Sequence, residues 1–375
     1  MNFELSEEHQ LVRESAREFA EREVAPTAAE RDRAGTFPEE EFKKAAEQGF
    51  TAMLIPEAYG GAEMGTLAAV VMVEEVSRIC ASTGVTLSVH NSLVCSPIVR
   101  HGTEEQKTWV LPQLASGAWL GAYALSEAGA GSDAAALICR ADREGDDFLL
   151  NGTKLWITSG DHADLMIIFA RADEGVTAFL VETASEGFSV GKKEEKLGIR
   201  SSSTVEVILE NVRVSADRVL GEVGKGLTVA FDTLDGGRIG IAGQALGISQ
   251  AAFEASVRYA REREQFGRPI GDFQAISWKL AEMSANLEAA RLVTYRAASL
   301  RDERRPHTRQ AAEAKLVAST LSNKIVDEAV QIHGGAGYTT EFPVERYFRD
   351  ARITEIYEGT TEIQRLVIAR DIFNS

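Results

Sequence analysis

Apolar positions recur with two different periods along this chain. Over residues 1–120 the period is helical: Leu11, Ala16, Phe19 and Ala20 give a rough three-to-four spacing. Ser6 followed by Glu7 and Glu8 reads as an acidic helix start. Pro26 and Thr36-Phe37-Pro38-Glu39-Glu40 read as breaks, the second opening a new helix with Pro38 at its first position. Pro56 and Gly60-Gly61 should close that segment, and residues 67–79 predict another apolar helix. Near residue 121 the period shortens. Residues 148–150 and 153–157 read as two extended runs joined by an Asn151-Gly152 hairpin turn. Residues 165–170, 178–182 and 204–209 are further short strand-like runs, so the middle block is expected to be an antiparallel β domain. From Gly226 the helical period returns. Ile239, Ala242, Leu246, Phe253 and Val257 form one stripe, and Val317, Leu321, Ile325 and Ala329 recur every four residues before a Gly334-Gly335 stop. These long segments should pack as a bundle. The expected fold class is α+β: a helical N-terminal domain (1–120), a middle β domain (121–225) and a C-terminal four-helix bundle (226–375).

Composition narrows the function classes. The chain has 375 residues, 44% hydrophobic and 26% charged, an ordinary globular balance. Forty basic against fifty-seven acidic residues leave a formal charge of −17, which disfavours the phosphate backbone of nucleic acid as a partner. The longest apolar runs, 67–73 and 165–170, fall far short of the roughly 20 residues a membrane span needs. Residues 1–8 lack a basic n-region and an apolar h-region, so no leader is expected. Cys80, Cys95 and Cys139 are odd in number and include no Cys-x-x-Cys, against a disulfide framework or a zinc site. No metal is expected, and the expected location is the reducing cytoplasm.

Two glycine-rich motifs lose their first meaning on inspection. Gly129-Ala130-Gly131-Ser132-Asp133-Ala134 fits Gly-x-Gly-x-x-Ala, but extended runs come after it where a dinucleotide fold needs a crossover helix. It remains a turn whose backbone N–H groups can face an anion. Gly221-Glu222-Val223-Gly224-Lys225-Gly226 lacks the spacing and the Ser/Thr of a phosphate-binding loop. The six histidines, at 9, 90, 101, 162, 307 and 333, are scattered.

Four other stretches carry a stronger signal. They are Tyr123-Ala124-Leu125-Ser126-Glu127-Ala128-Gly129-Ala130-Gly131-Ser132-Asp133; Asn151-Gly152-Thr153-Lys154-Leu155-Trp156-Ile157-Thr158; Arg261 through Ile270 (Arg-Glu-Arg-Glu-Gln-Phe-Gly-Arg-Pro-Ile) with Gln274 behind; and Arg349 through Arg365, containing Ile356-Tyr357-Glu358-Gly359-Thr360. In this order and spacing they resemble the acyl-CoA dehydrogenase family of flavoenzymes, over almost the whole chain. The resemblance implies FAD between the β domain and the bundle, and a homotetramer in which a neighbouring subunit completes the flavin site. It implies oxidation of an acyl-CoA to the trans-2-enoyl-CoA, with electrons passing to an electron-transfer flavoprotein.

The implied chemistry needs a base for the α proton while hydride passes to flavin N5. Glu358 matches the family's base. An isolated glutamate would be an ordinary solvated carboxylate; its surrounding motif points the other way. Some members carry the base just before the Arg of Leu234-Asp235-Gly236-Gly237-Arg238; here that position is Gly237, which cannot take a proton. Asp235 and Arg238 match substrate contacts, and for Asp235 a simple helix start fits equally well. Tyr357, Gly359 and Ser132 complete the implied substrate set. For FAD the matching residues are Tyr123, Leu125, Ser126, Ser132, Trp156, Ile157 and Thr158, then Thr360 and Glu362. Arg263, Gln265, Phe266, Gln274, Gln331 and Gly335 match segments lent by the neighbour, with the Arg263 guanidinium suited to a pyrophosphate. The sequence departs from the usual pattern at Ala128, Ser159 and Ser215, where loop rigidity rather than reactivity is affected. Residues 82–93 and 191–200 look most like short-chain members, and no Arg in 82–93 could meet a substrate carboxylate. An acyl-CoA oxidase and a non-catalytic acyl-CoA-binding scaffold are the alternatives on the same fold.

Overall fold

The computed structural model describes residues 4–374. Helix α1 (Glu7–Phe19) starts where the Ser6 hydroxyl accepts the His9 N–H. Pro26 does not break the helical path. A π turn (Ala20–Val24) carries the chain into α2 (Ala25–Ala34), and the Ala25 N–H bonds back five residues to Ala20. The missing proline N–H is absorbed at this rerouted turn, and Gly35, at φ +66°, ends the rod. Pro38 is the N-cap of α3 (Glu39–Glu47) rather than its first residue, and α3 stops well before Pro56. Then come α4 (Gly65–Ile79), α5 (Ala81–Val89), a second π turn (His90–Cys95), α6 (Ser96–His101) and α7 (Glu104–Ala115).

Between residues 121 and 220 the chain forms one sheet. Its strands are β1 (Gly121–Ala124), β2 (Arg140–Glu144), β3 (Asp147–Thr158), β4 (Leu165–Ala172), β5 (Gly175–Glu182), β6 (Phe188–Lys193), β7 (Thr204–Ser215) and β8 (Val219–Leu220). The order is β6-β7-β3-β2-β4-β5-β8, with β1 beside β4. The sheet is mixed, not purely antiparallel: β1 runs parallel to β4, and Arg140 of β2 pairs in parallel with Arg171 of β4. The expected Asn151-Gly152 hairpin is also absent. β3 runs straight through it, with a bulge against β7. Gly152 is needed for closeness instead, since a Cβ there would lie 2.8 Å from the Cys139 Cα. The turn falls earlier, at Gly145-Asp146, between the paired Glu144 and Asp147.

The bundle is built on α8 (Gly226–Glu262), with α9 (Gln274–Asp302), α10 (Thr308–His333), a short α11 (Val344–Ala351) and α12 (Thr361–Asn374). α8 carries glycines where α4 and α5 press closest. A Cβ on Gly247 would strike the Glu74 carbonyl at 2.2 Å, and one on Gly240 the Ser88 hydroxyl at 2.3 Å. The parts are tied by α11: Asp350 accepts the Ile199 N–H, and Arg349 pairs with Asp32 on α2.

Candidate active site

Glu358 sits in the loop between α11 and α12. Glu358 (φ +52°) and Gly359 (φ +92°) are both left-handed, a conformation costly for glutamate that persists only when neighbours enforce it. Three side chains do so. Lys315 of α10, fully buried, donates to the Thr354 and Gly359 carbonyls at 2.9 and 2.8 Å. Gln364 donates to the Gly359 carbonyl at 2.7 Å. Tyr357 donates its hydroxyl to Gln244 of α8. The turn aims the carboxylate inward, where Oε2 is buried without a hydrogen-bond partner. The niche exists because α8 has glycine here: a Cβ on Gly237 would lie 2.0 Å from Glu358 Oε2 and 2.7 Å from the Leu93 side chain. Burial pushes the Glu358 carboxyl up to about 7, against the opposing pull of Lys315 and Arg238.

Tyr123 of β1 belongs to the same dry region. Its hydroxyl is buried and unpartnered, and burial together with the Glu358 charge holds its pKa well above the usual phenol range. Leu125 and Ser126 come next along the chain, and Leu155 donates its N–H to the Ser126 carbonyl, so the two wall segments lie side by side. At the bulge between Lys154 and Ile157, Trp156 has φ +59° and is 55% exposed, while Ile157 is buried and Thr158 pairs with Thr204 of β7. An indole held outward on a strand, an orphaned phenol and an open glycine turn ending at exposed Ser132 suit a flat polar-edged cofactor. Beneath them lies a buried ion pair. Lys154 meets Glu127 at 2.7 Å and the Leu125 carbonyl at 3.2 Å, and Glu127 accepts the Ile138 and Cys139 N–H groups.

Asp235 does not stand at a helix start. α8 begins nine residues earlier, and Asp235 is buried in it, spent on Arg238 and on the Thr308 hydroxyl. Arg238 keeps a buried, unpartnered Nε. Thr360 caps α12 by accepting the Ile363 N–H, and Glu362 is exposed beside it.

The remaining expected residues gather elsewhere. Arg263 ends α8 at a two-stranded arm (Glu264–Gln265 with Arg268–Pro269), whose tip residue Phe266 is 93% exposed. Gln274 is exposed where α9 begins. Gln331 and Gly335 flank the end of α10, where His333 stacks on Tyr259, four residues before Arg263. Arg263 is 26 residues from Gly237, about 39 Å along the helix axis. The Arg263 cluster therefore stands well apart from the Gly237 niche.

Residues 6–118 match the description "Acyl-CoA dehydrogenase, N-terminal domain", 122–212 the middle domain and 224–373 the C-terminal domain. The chain belongs to the acyl-CoA dehydrogenase family. It is 50% identical to the mitochondrial short-chain specific acyl-CoA dehydrogenase of Mus musculus, over 99% of this chain and 92% of that protein. It is 48% identical to the short-chain specific acyl-CoA dehydrogenase of Clostridium acetobutylicum over the full length of both. The butyryl-CoA dehydrogenase structure from Megasphaera elsdenii superposes with a TM-score of 0.98 at 43% identity, covering both chains completely. The family's cofactor is FAD, and the Tyr123–Thr158 wall fits it.

Sequence reasoning left several side chains of this acyl-CoA dehydrogenase site without a role. Glu127 and Lys154 lie inside the first two motifs, and a charged pair 27 positions apart gives no local sign of contact. Lys315 sits four residues from both Ala311 and Ser319 on α10, and looks like any charged helix residue until the fold closes over it.

Proposed function

We propose that this protein oxidises short-chain acyl-CoA thioesters to trans-2-enoyl-CoA, with FAD as cofactor and Glu358 as the base. The observation that carries the reading is the buried, unpartnered Oε2 of Glu358 in the niche beside Gly237, with the carboxyl pushed up to about 7. A carboxylate of that basicity removes an α proton far better than one near 4. Lys315 and Gln364 keep it aimed by clamping the Gly359 carbonyl. Tyr357 and Gly359 border the thioester, Arg238 offers its free Nε, and Asp235 orients Arg238; Ser132 lies toward the CoA side. FAD, when bound, supplies the acceptor for the hydride leaving the β carbon. Tyr123, Leu125, Ser126, Ser132, Trp156, Ile157, Thr158, Thr360 and Glu362 hold it from one subunit. Arg263, Gln265, Phe266, Gln274, Gln331 and Gly335 hold it from another, in a homo-oligomer that we take to be a tetramer. Electrons leave to an electron-transfer flavoprotein, and three free, buried cysteines suit the cytoplasm. We set the domain boundaries near residues 120 and 225.

Anaerobic butyryl-CoA should bleach the yellow protein. Glu358 works as a base only when ionised, so kcat/KM should rise with pH through about 7. Glu358→Gln should keep flavin and lose about 10³-fold in bleaching rate. Retained turnover would remove Glu358 from the role, and fast peroxide formation in air would make the protein an oxidase.

A further inference from the structure

Two successive carbonyls beside the β1 strand are pinned from β3. The Lys154 ammonium donates to the Leu125 carbonyl at 3.2 Å, and the next residue, Leu155, donates its N–H to the Ser126 carbonyl at 2.9 Å. Lys154 is 0% exposed, and its other contact is the Glu127 carboxylate at 2.7 Å. No peptide bond among the described residues is cis, so the Leu125 C=O and the Ser126 N–H lie in one plane and point in opposite directions. A carbonyl drawn toward a fully buried ammonium therefore turns the Ser126 N–H the other way, out of the interior. Ser126 is half-buried, and among the described residues its N–H meets no acceptor. The following N–H, that of Glu127, is bonded to the Ala130 carbonyl. One backbone donor thus stands open in the wall that carries the unpartnered Tyr123 hydroxyl and the outward Trp156.

Holding a wall in shape does not require a charge. Burying an ammonium is costly, and Glu127 offsets that only by burying a second charge, so an apolar pair would pack the same space at less cost. What the ammonium adds is a firm hold on the direction of one peptide. That direction matters for the chemistry proposed above. A hydride brings two electrons and one proton, so a flavin that accepts it gains one negative charge. A donor fixed before that charge arrives stabilises it with no reorganisation. We infer that Lys154 is a positioning residue: by holding the Leu125 carbonyl it keeps the Ser126 N–H aimed at the flavin, where that N–H favours the reduced cofactor over the oxidised one. Glu127 is the counter-charge that lets Lys154 stay buried. This inference rests on the flavin reading above.

The test is the midpoint potential of the flavin in the holoenzyme. Lys154→Met with Glu127→Gln removes both charges together, so the net charge of the wall is unchanged and the hold on the Leu125 carbonyl is lost. At a given potential the ratio of reduced to oxidised flavin should fall by about tenfold, the effect of one hydrogen bond to a charged group. For a two-electron couple that is a drop of about 30 mV. If the double variant binds FAD weakly, the ratio of its affinities for reduced and oxidised FAD reads the same quantity and should fall by the same factor. A pin with a purely structural role would weaken both affinities equally and leave the potential at the wild-type value. An unchanged or raised potential would overturn the inference while bleaching of the wild type by butyryl-CoA stands. A wild-type protein that takes up no FAD would instead sink the flavin reading, and this inference with it.

Discussion

The proton affinity of Glu358 depends on an atom that α8 lacks. With no Cβ on Gly237, the carboxylate lies against the helix backbone, out of water, and burial outweighs the cations Lys315 and Arg238. Gly237→Ala tests this directly. The new methyl would overlap Glu358 Oε2 and crowd Leu93, but the carboxylate is the free end of a side chain and can swing aside. Alanine also suits a helix interior better than glycine. Thermal stability should therefore change little, while the bleaching rate by butyryl-CoA falls by about 10²-fold, as misplacing a reacting group by an ångström can do. A fall in melting temperature matching the fall in rate would mean the helix packing had failed instead. At this scale the proposed base is marked in the sequence, because Glu358 sits in a long motif and Gly237 cannot serve at the other position. The clamp is not: Lys315 reaches the Thr354 and Gly359 carbonyls across 39 and 44 residues, and nothing local marks it.

Strands and helices set the wall that faces the base, and one buried pair ties it together. Glu127 belongs to the glycine turn and Lys154 to β3; their contact, with the two N–H groups that Glu127 accepts, fixes the turn against the strand bearing Trp156. Lys154→Met leaves that carboxylate buried and unpaired, which should cost about 3–5 kcal/mol and release flavin at lower temperature. The double change with Glu127→Gln removes the orphaned charge and should recover much of the loss, as read by the temperature of flavin release. A double variant no better than Lys154→Met would show that the loss came from the missing contacts rather than from an orphaned charge. Where elements differ from the sequence pattern, the causes are local. Asn151-Gly152 has the composition of a turn, but turn residues also serve strands where two backbones must touch, as Gly152 does against Cys139. Pro26 has the look of a break, but the π turn that absorbs it carries no sequence mark.

Across the whole molecule, the order helix, sheet, helix is legible from periodicity alone, because each block keeps one period over many residues. The meaning of the Arg263 segment is not legible from one chain. It lies about 39 Å along α8 from the niche beside Gly237, with Phe266 standing into solvent, which suits a segment lent to the flavin site of another copy. Subunit mixing decides this. Arg263→Ala should yield flavin-poor, inactive protein, and Glu358→Gln should yield yellow, inactive protein. If Arg263 acts across the interface, unfolding the two together and refolding them with FAD builds some sites with Glu358 from one variant and Arg263 from the other. Random assembly makes roughly a quarter of the sites whole, so about a quarter of the wild-type rate should return from two inactive parents. If Arg263 instead serves its own chain's flavin, every site carries one defect whatever its neighbours are, and mixing restores nothing.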